Sequence, residues 1–487
     1  MKAVAGCDTA ADPLCATDIV TTFGYTPATG PLFSRTDANG NVTTYAYDIR
    51  GRITLLTRGP ALTSLKERIE YSYDALTGHK SMERYLANES GSWIEKRRES
   101  FSYDSLGQLI AQTHADTTSN AYTYDSTGNV ASLRDENHAA ANTRYAYDPA
   151  RRLIAEHHTL GTGEVTTSYA YDSAGNLTGV TDANGNQTTY VYDDFGRMQS
   201  QTSPVTGTTT YVYDFAGNLV SSTDANGATT TRTYDALARV SSASSVCSGW
   251  DTEDITWWYD DPTPGRNGIG RLTAMNDPSG GTEYSYERRG LLRSENRVIA
   301  SSSEMRYEYD AAGNRIRLDD LDYSYDFAGR PLTVTVRPAC ALCPPLPIVT
   351  SASYLPFGPE TELVYGGVRQ VKAYDGRYRI TENKLLGPGG STISGYTYSS
   401  DANGNMTAII DIIDPSLNRA FAYDDLNRLT TANTGAGLWD TGAFSYDAMG
   451  NLLTSTIGSW TESFTYTGST PRVATKCGPG QQHVGRI

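Results

Sequence analysis

The sequence predicts an all-β fold: tandem β-hairpins wound as a single-layer spiral sheet. Three observations predict it. The dipeptide Tyr-Asp occurs fifteen times in 487 residues, and from Tyr171 to Tyr234 its copies stand 21 residues apart, three times running. Self-similarity at a short fixed period marks a repeat architecture. In thirteen of the fifteen copies an aromatic residue lies two positions before the Tyr, as in the FSYD, YAYD and YVYD stretches. Side chains at i and i+2 share one face of a strand and no single face of a helix. In nine copies Gly follows the Asp by three, as in YDSAGNL and YDFAGNL.

Each element of the unit then has a reason. The strand ends at the Tyr, and Asp opens a type I turn, its carboxylate bonding the turn backbone while the later Gly tolerates positive φ. The repeat residues assigned on this pattern are Tyr47 and Asp48; Tyr103, Asp104 and Gly107; Tyr124, Asp125 and Gly128; Tyr171, Asp172 and Gly175; Tyr192, Asp193 and Gly196; Tyr213, Asp214 and Gly217; Tyr309, Asp310 and Gly313; and Tyr446, Asp447 and Gly450. A Leu after the turn starts the return strand. About seven residues on, Asp-Ala-Asn-Gly at 37–40, 182–185 and 224–227 makes a second turn, read here as an Asn-Gly hairpin. Thr-rich strands lead back to the next Tyr-Asp, as β-branched residues prefer.

A lone hairpin is only marginally stable in water, so each unit leans on its neighbours. Fifteen units of two strands make roughly 30 strands, a sheet on the order of 140 Å at about 4.8 Å per strand. Open sheets rarely pass about ten strands without curling, so the ribbon is expected to coil. Leu, Ile, Val and Phe together fall below a fifth of the residues, whereas there are 34 Tyr and 46 Gly. Two sheets pressed over a thick dry core need more aliphatic surface than that. A single-layer wall around a hollow is the expectation. Along the chain this gives an N-terminal lead-in at 1–33, a repeat array at 34–335, a Cys- and Pro-rich connector at 336–352, a second repeat block at 353–470 and an irregular tail at 471–487.

Composition excludes several functions. A net charge of −15 and a pI near 4.9 oppose nucleic-acid binding, which needs clustered Lys and Arg; the one dense basic run, EKRRES at 95–100, reads as a solvated strand face. No apolar stretch approaches the ~18 residues of a membrane span. The N-terminal MKAVAGCDTA lacks the apolar core of a Sec-type signal peptide. Cysteines stand at 7, 15, 247, 340, 343 and 477, and only Cys340 and Cys343 have metal-like spacing, with no second pair or nearby His to complete a site. They read as incidental or disulfide-forming thiols. The six His form no ligand or triad spacing, and the acid pairs Asp193-Asp194, Asp260-Asp261, Asp319-Asp320 and Asp424-Asp425 fall mostly in turns. Asp-x-Asn-Gly matches half of an EF-hand loop without its terminal acid or flanking helices. No catalytic, cofactor or metal site is assigned.

The unit Y-x-Y-D-x-x-G-[NR]-L resembles the YD repeat of the RHS family, found in bacterial polymorphic toxins, in shell components of insecticidal toxin complexes and in the teneurins of animals. The resemblance covers about residues 34–470. SYLPFGPETELVYGG at 353–367 also resembles an element that interrupts the repeats in many bacterial members. The resemblance implies a β-cocoon that encloses a toxic C-terminal segment during storage and delivery. It also implies, as partners, the remaining shell, core or toxin segments of such a system. Members that release a toxin carry Asp-Pro-x-Gly elements and an aspartyl protease centre after the repeats; here Asp277-Pro-Ser-Gly lies inside the array, and the chain runs to CGPGQQHVGRI. The expectation is an isolated shell segment without protease or cargo, secreted or at the cell surface by a specialised export route. The second reading is a carbohydrate-binding adhesion module that offers its aromatic ladder to glycans. Against it, known hairpin solenoids of that kind lean on Trp, and this chain has six.

Overall fold

The turn sequences dictate the architecture. In the computed structural model, which describes all residues except 1, 6–18, 27–29, 62–65, 162, 248–251, 300, 341–342, 436, 465 and 467–487, the chain forms forty strands and one short 3-10 turn, Pro415–Leu417. No α-helix occurs among the described residues. Cys7, Cys15, Cys477, His483 and the expected tail lie outside the described residues. Consecutive strands pair antiparallel: Gly163–Tyr171 with Leu177–Thr181, that strand with Gln187–Tyr192, and so on. Part of the expected connector is itself strand, Leu346–Tyr354, which pairs with Pro331–Val336.

The YD turn is more specific than a type I turn. The Asp172 N–H donates to the Asn176 carbonyl at 3.0 Å, and the Gly175 N–H donates back to the Asp172 carbonyl at 3.2 Å. The ladder slips by one residue just before Tyr171. This is a type I turn closed by a left-handed residue, the G1 bulge of three-residue hairpin loops. The residue three after the Asp also holds a positive φ at four positions where it is not Gly: 66° at Arg151, 59° at Ala238, 65° at Tyr378 and 60° at Asn427. A side chain there costs on the order of 1–2 kcal/mol, against ~0.5–1 kcal/mol of extra backbone entropy for Gly. Ala238→Gly is therefore expected to stabilise the fold by about 0.5–1 kcal/mol, read as a higher denaturant midpoint.

The Asp-Ala-Asn-Gly turns differ from the two-residue Asn-Gly hairpin expected. The Asp182 N–H bonds the Asn186 carbonyl at 3.0 Å and the Gly185 N–H bonds Asp182 at 3.0 Å. Only Gly185, at φ 82°, is left-handed, while Asn184 is not. The second turn is the YD turn without its Tyr, because the same Asp carboxylate organises it.

By compactness the described chain divides into two units: Met1–Arg144 with Arg306–Ala443 and Ile457–Ser459, and Tyr145–Met305 with Phe444–Thr456 and Trp460–Ile487. Each is a thin wall. Among the described residues the buried side chains of the core are Ile69, Leu86, Ala352 and Ala432, with Pro356, whereas eight polar residues are buried, among them Glu67, Glu99 and Thr434. A single layer has no dry interior to fill, and that is why a chain so poor in aliphatic residues folds.

Candidate functional site

The assigned repeat residues come together along one edge of the sheet. The Asp172 carboxylate accepts the Asn176 N–H at 2.8 Å through one oxygen and the Asn176 side-chain amide at 2.9 Å through the other. Where Arg replaces that Asn, as at Arg197, its Nε takes the second oxygen of Asp193 at 2.7 Å. These bonds hold Asp172, Asp193 and Asp214 below the usual carboxylate range; for Asp172 and Asp214 the largest cause is the side-chain amide of the Asn four residues on, while at Asp193 burial pulls upward and is outweighed by Arg197. The [NR] position of the repeat, given no role by sequence reasoning, is thus the partner of the motif Asp. The signal was in the motif itself: only Asn or Arg there carries donors to a carboxylate.

Each turn is then tied to its neighbours. The Tyr124 hydroxyl donates to the Leu109 carbonyl at 2.8 Å, Tyr171 to Leu153 at 3.0 Å and Tyr47 to Leu32 at 2.6 Å, always to the start of the preceding strand. In the other direction Arg197 Nη1 donates to the Asp214 carbonyl of the next turn at 3.1 Å, with its guanidinium 5.1 Å over the Tyr213 ring. Arg152 repeats this with the Asp172 carbonyl and the Tyr171 ring. The YD edge is a lacing of hydroxyls, carbonyls and stacked guanidinium groups. Removing one lace, Tyr124→Phe, is expected to cost about 1 kcal/mol, seen as faster amide exchange in strands Leu109–His114 and Ser119–Tyr124.

In the first unit, residues 306–443 return alongside residues 1–144, turn against turn. Arg330 bonds Glu67 at 2.6 Å, Arg379 bonds Asp116 at 2.7 Å, Asn39 bonds Asp310 at 2.7 Å and Asn137 bonds Asp401 at 3.0 Å; these partners lie 263 to 271 positions apart in the chain. In the second unit Asn184 bonds Asp447 at 2.8 Å across 263 positions. Other bonds between the strips of the first unit span 241 to 290 positions, so one strip of repeats runs alongside another. The donors and acceptors are the turn residues themselves: Asp310, Asp401 and Asp447 are organisers of their own turns and still accept a bond from the facing strip.

Glu67 is the most heavily used residue of this seam. It is 5% exposed and accepts from Arg58 Nε at 3.0 Å and Nη2 at 2.9 Å, from Arg330, and from the Phe357 N–H at 3.1 Å. Phe357 belongs to the Tyr-Leu-Pro-Phe-Gly element singled out in the sequence. Its ring meets the Tyr85 ring edge-on at 6.0 Å and lies 4.0 Å under the Arg58 guanidinium. Tyr378 donates its hydroxyl to the Pro356 carbonyl at 2.9 Å, and Arg97 lies over both the Tyr85 and Tyr378 rings. Burial, then the neighbouring Glu83, pushes the Tyr85 phenol up to about 12, and burial raises Tyr378 as well. The element is a clasp, and nothing in its local spacing shows what it grips.

The basic run at 95–100 is only partly the solvated face expected. Arg98 pairs with Glu95 in the open, but Arg97 is drawn into the aromatic cluster and Glu99, 4% exposed, accepts from His114 Nδ1 at 2.7 Å. The other ring nitrogen of His114 faces Glu136 at 3.0 Å, which Arg377 also reaches at 3.1 Å. These groups are far apart in sequence, so no motif could join them. Cys340 and Cys343 are exposed, and Cys247 is disulfide-bonded. Among the described residues no helix is long and apolar enough to cross a membrane.

Hairpins laced along one edge and stacked strip on strip define a β-repeat shell wall. Comparison with known families agrees. The RHS Repeat model matches residues 25–60, 171–209 and 213–245, and the Teneurin YD-shell model matches residues 61–188. No curated protein matches the chain. Among solved structures it is similar to the Photorhabdus luminescens Tc holotoxin pore, with a TM-score of 0.74 and 15% identity over 91% of this chain and 26% of that one. It is also similar to the TcdB2-TccC3 crystal structure, with a TM-score of 0.64 and 16% identity over 91% of this chain and 31% of that one. The chain thus spans about a third or less of the chains it matches. Its first half thus matches the RHS Repeat and Teneurin YD-shell models, and the chain has the fold of the Tc toxin shell proteins.

Proposed function

We propose that this chain is a non-catalytic segment of an RHS shell that helps to enclose a toxic C-terminal segment in a toxin-delivery or bacterial competition system. Its partners are then the remaining shell, core or toxin segments, and its destination is outside the cell or at its surface. The disulfide at Cys247 suits such an oxidising destination. One observation carries the reading: strips of repeats sit against one another through turn-to-turn bonds, which is how a one-layer ribbon becomes a continuous wall. Carboxylates and hydroxyls on this edge take part in wall bonds.

The adhesion reading finds less support. A glycan-stacking platform needs a bare ring face. The repeat tyrosines Tyr171, Tyr213 and Tyr73 are half-buried with a guanidinium over the ring. Small-angle scattering of the purified chain tests the proposal. A thin-walled particle, with a pair-distance distribution shifted beyond that of a solid protein of 52.8 kDa, is expected; a solid compact particle overturns it.

A further inference from the structure

Asp-Ala-Asn-Gly is written a fourth time at 401–404, and three of the four copies do more than turn the chain. Asn39 donates its side-chain amide to the Asp310 carboxylate at 2.7 Å, Asn184 donates to Asp447 at 2.8 Å and Asn403 donates to Asp135 at 3.1 Å. In each case the acceptor is a turn-organising Asp of the facing strip within the same unit. The Asp447 oxygen that takes the Asn184 amide also takes the Asn451 amide of its own turn at 2.6 Å, and Asp310 does the same with Asn314 at 2.8 Å. One carboxylate oxygen thus holds two strips. It does so only because the group facing it is an uncharged donor.

Asn followed by Gly is also a labile pair, because Gly puts no Cβ in the way of its own backbone nitrogen. That nitrogen attacks Cγ of the Asn, the bond from Cγ to the side-chain nitrogen breaks, and ammonia leaves with the hydrogen of the Gly N–H. The cyclic imide left behind adds one water across either of its C–N bonds, giving Asp or iso-Asp. No redox partner is needed. In the closed seam the nitrogen is held elsewhere: the Gly185 N–H donates to the Asp182 carbonyl at 3.0 Å, Gly40 to Asp37 at 3.0 Å and Gly404 to Asp401 at 3.1 Å. The amide to be attacked is pinned to the facing strip. All three Gly are exposed, so geometry and not solvent access blocks the step. Attack requires the turn to open and the seam to part.

We propose that Asn39, Asn184 and Asn403 are deamidation sites gated by the seams, and that their conversion makes the opening of a seam a one-way event. While the strips are seated the amides are held and survive. Once the strips part, the amide becomes a carboxylate facing the very carboxylate it used to bind, where Asn184 now lies 2.8 Å from Asp447. Like charges placed directly opposite are destabilising. The iso-Asp product moreover adds a methylene to the backbone of a turn closed by two bonds of fixed length, from Asp182 to Asn186 and from Gly185 to Asp182. The strips then do not reseat. This concerns how the wall holds together and stands apart from what it encloses.

The test holds the full chain in heavy-oxygen water, folded in one sample and unfolded by denaturant in another, and follows the peptides carrying Asn39, Asn184 and Asn403 by mass spectrometry for the amide-to-acid change with one heavy oxygen. Conversion in the folded chain is expected to be about tenfold or more slower at all three positions, since two hydrogen bonds must break first. Asp447→Ala removes the acceptor and keeps the Asn184-Gly185 pair; it should speed conversion at Asn184 and leave Asn39, in the other unit, at its folded rate, which reports that the fold survives. Asn184→Asp supplies the product directly and should speed amide exchange at 447–451, and Asn184→Ser, which loses the donor without adding charge, should do so less. Equal conversion in the folded and unfolded chains overturns the proposal, as does an Asn184 rate indifferent to Asp447→Ala. Equal exchange in Asn184→Asp and Asn184→Ser assigns the opening to the lost bond alone and overturns the one-way step.

Discussion

Glu67→Ala is expected to open the seam of the first unit at a cost of about 3–5 kcal/mol, the loss that follows when one partner of a buried ion pair is removed. The substitution leaves Arg58 without its carboxylate, leaves Arg330 with Asp326 alone, and leaves the Phe357 N–H without its acceptor. The Arg58 guanidinium, 4.0 Å over the Phe357 ring, is then left uncompensated inside the cluster. Hydrogen exchange localises the effect: strands Glu67–Tyr73 and Lys80–Glu89 and the turn at 354–358 should lose protection together, while strands Gln187–Tyr192 and Gly207–Tyr213 of the second unit should not. Glu253→Gln, at an exposed strand residue, serves as the control and should change stability by no more than ~0.5 kcal/mol. A Glu67→Ala chain with unchanged protection at 354–358 would mean that the clasp is held by its aromatic contacts alone.

The difference between Glu67 and the repeat aspartates shows what the sequence could reveal. Asp172 finds its partners within four residues, at Asn176 and Gly175, so a short motif contains the whole interaction and the turn can be read from letters. Strand faces follow from the alternation of aromatic residues for the same local reason. Glu67 sits in an unremarkable strand, ERIEYSY, and its role comes from Arg330 and Phe357, more than 260 positions away. No periodicity reports a contact of that length. The Phe357 element broke the repeat visibly, and that break marked a clasp without naming its target. His114 and Glu99 show the limit from the other side, since a His and a Glu separated by 15 residues are ordinary in sequence and become a buried pair only because adjacent strands place them on one face.

Acid is expected to take the walls apart from the seams outward, and alkali to loosen only one point. At Asp116 burial pulls the carboxyl upward, but bonds from Thr118 and the charges of Arg377 and Arg379 outweigh it and hold the group below its usual range. Asp135 is likewise lowered, burial being outweighed by His138 and Asn403, and Asp447 by Asn451 and Asn184. A carboxyl lowered in the folded state contributes stability that is fully present above its unfolded value of about 3.9 and lost as pH falls through the folded value. Denaturant midpoints should therefore hold steady from about pH 6 to 5 and fall progressively below about pH 4. Exchange at the seam residues 116–118 and 135–138 should rise as Asp116 and Asp135 are protonated. His138 has the opposite sign. Burial pulls it down, yet the bond and charge of Asp135, with Asp425, outweigh that and raise it, so its contribution is complete below about pH 6.5 and is lost as pH rises through the folded value. One imidazole against many carboxylates makes this limb shallow. His138→Gln should abolish the alkaline limb and leave the acid limb in place; an acid limb that vanished with it would mean that the histidine, and not the aspartates, governs how the strips hold together.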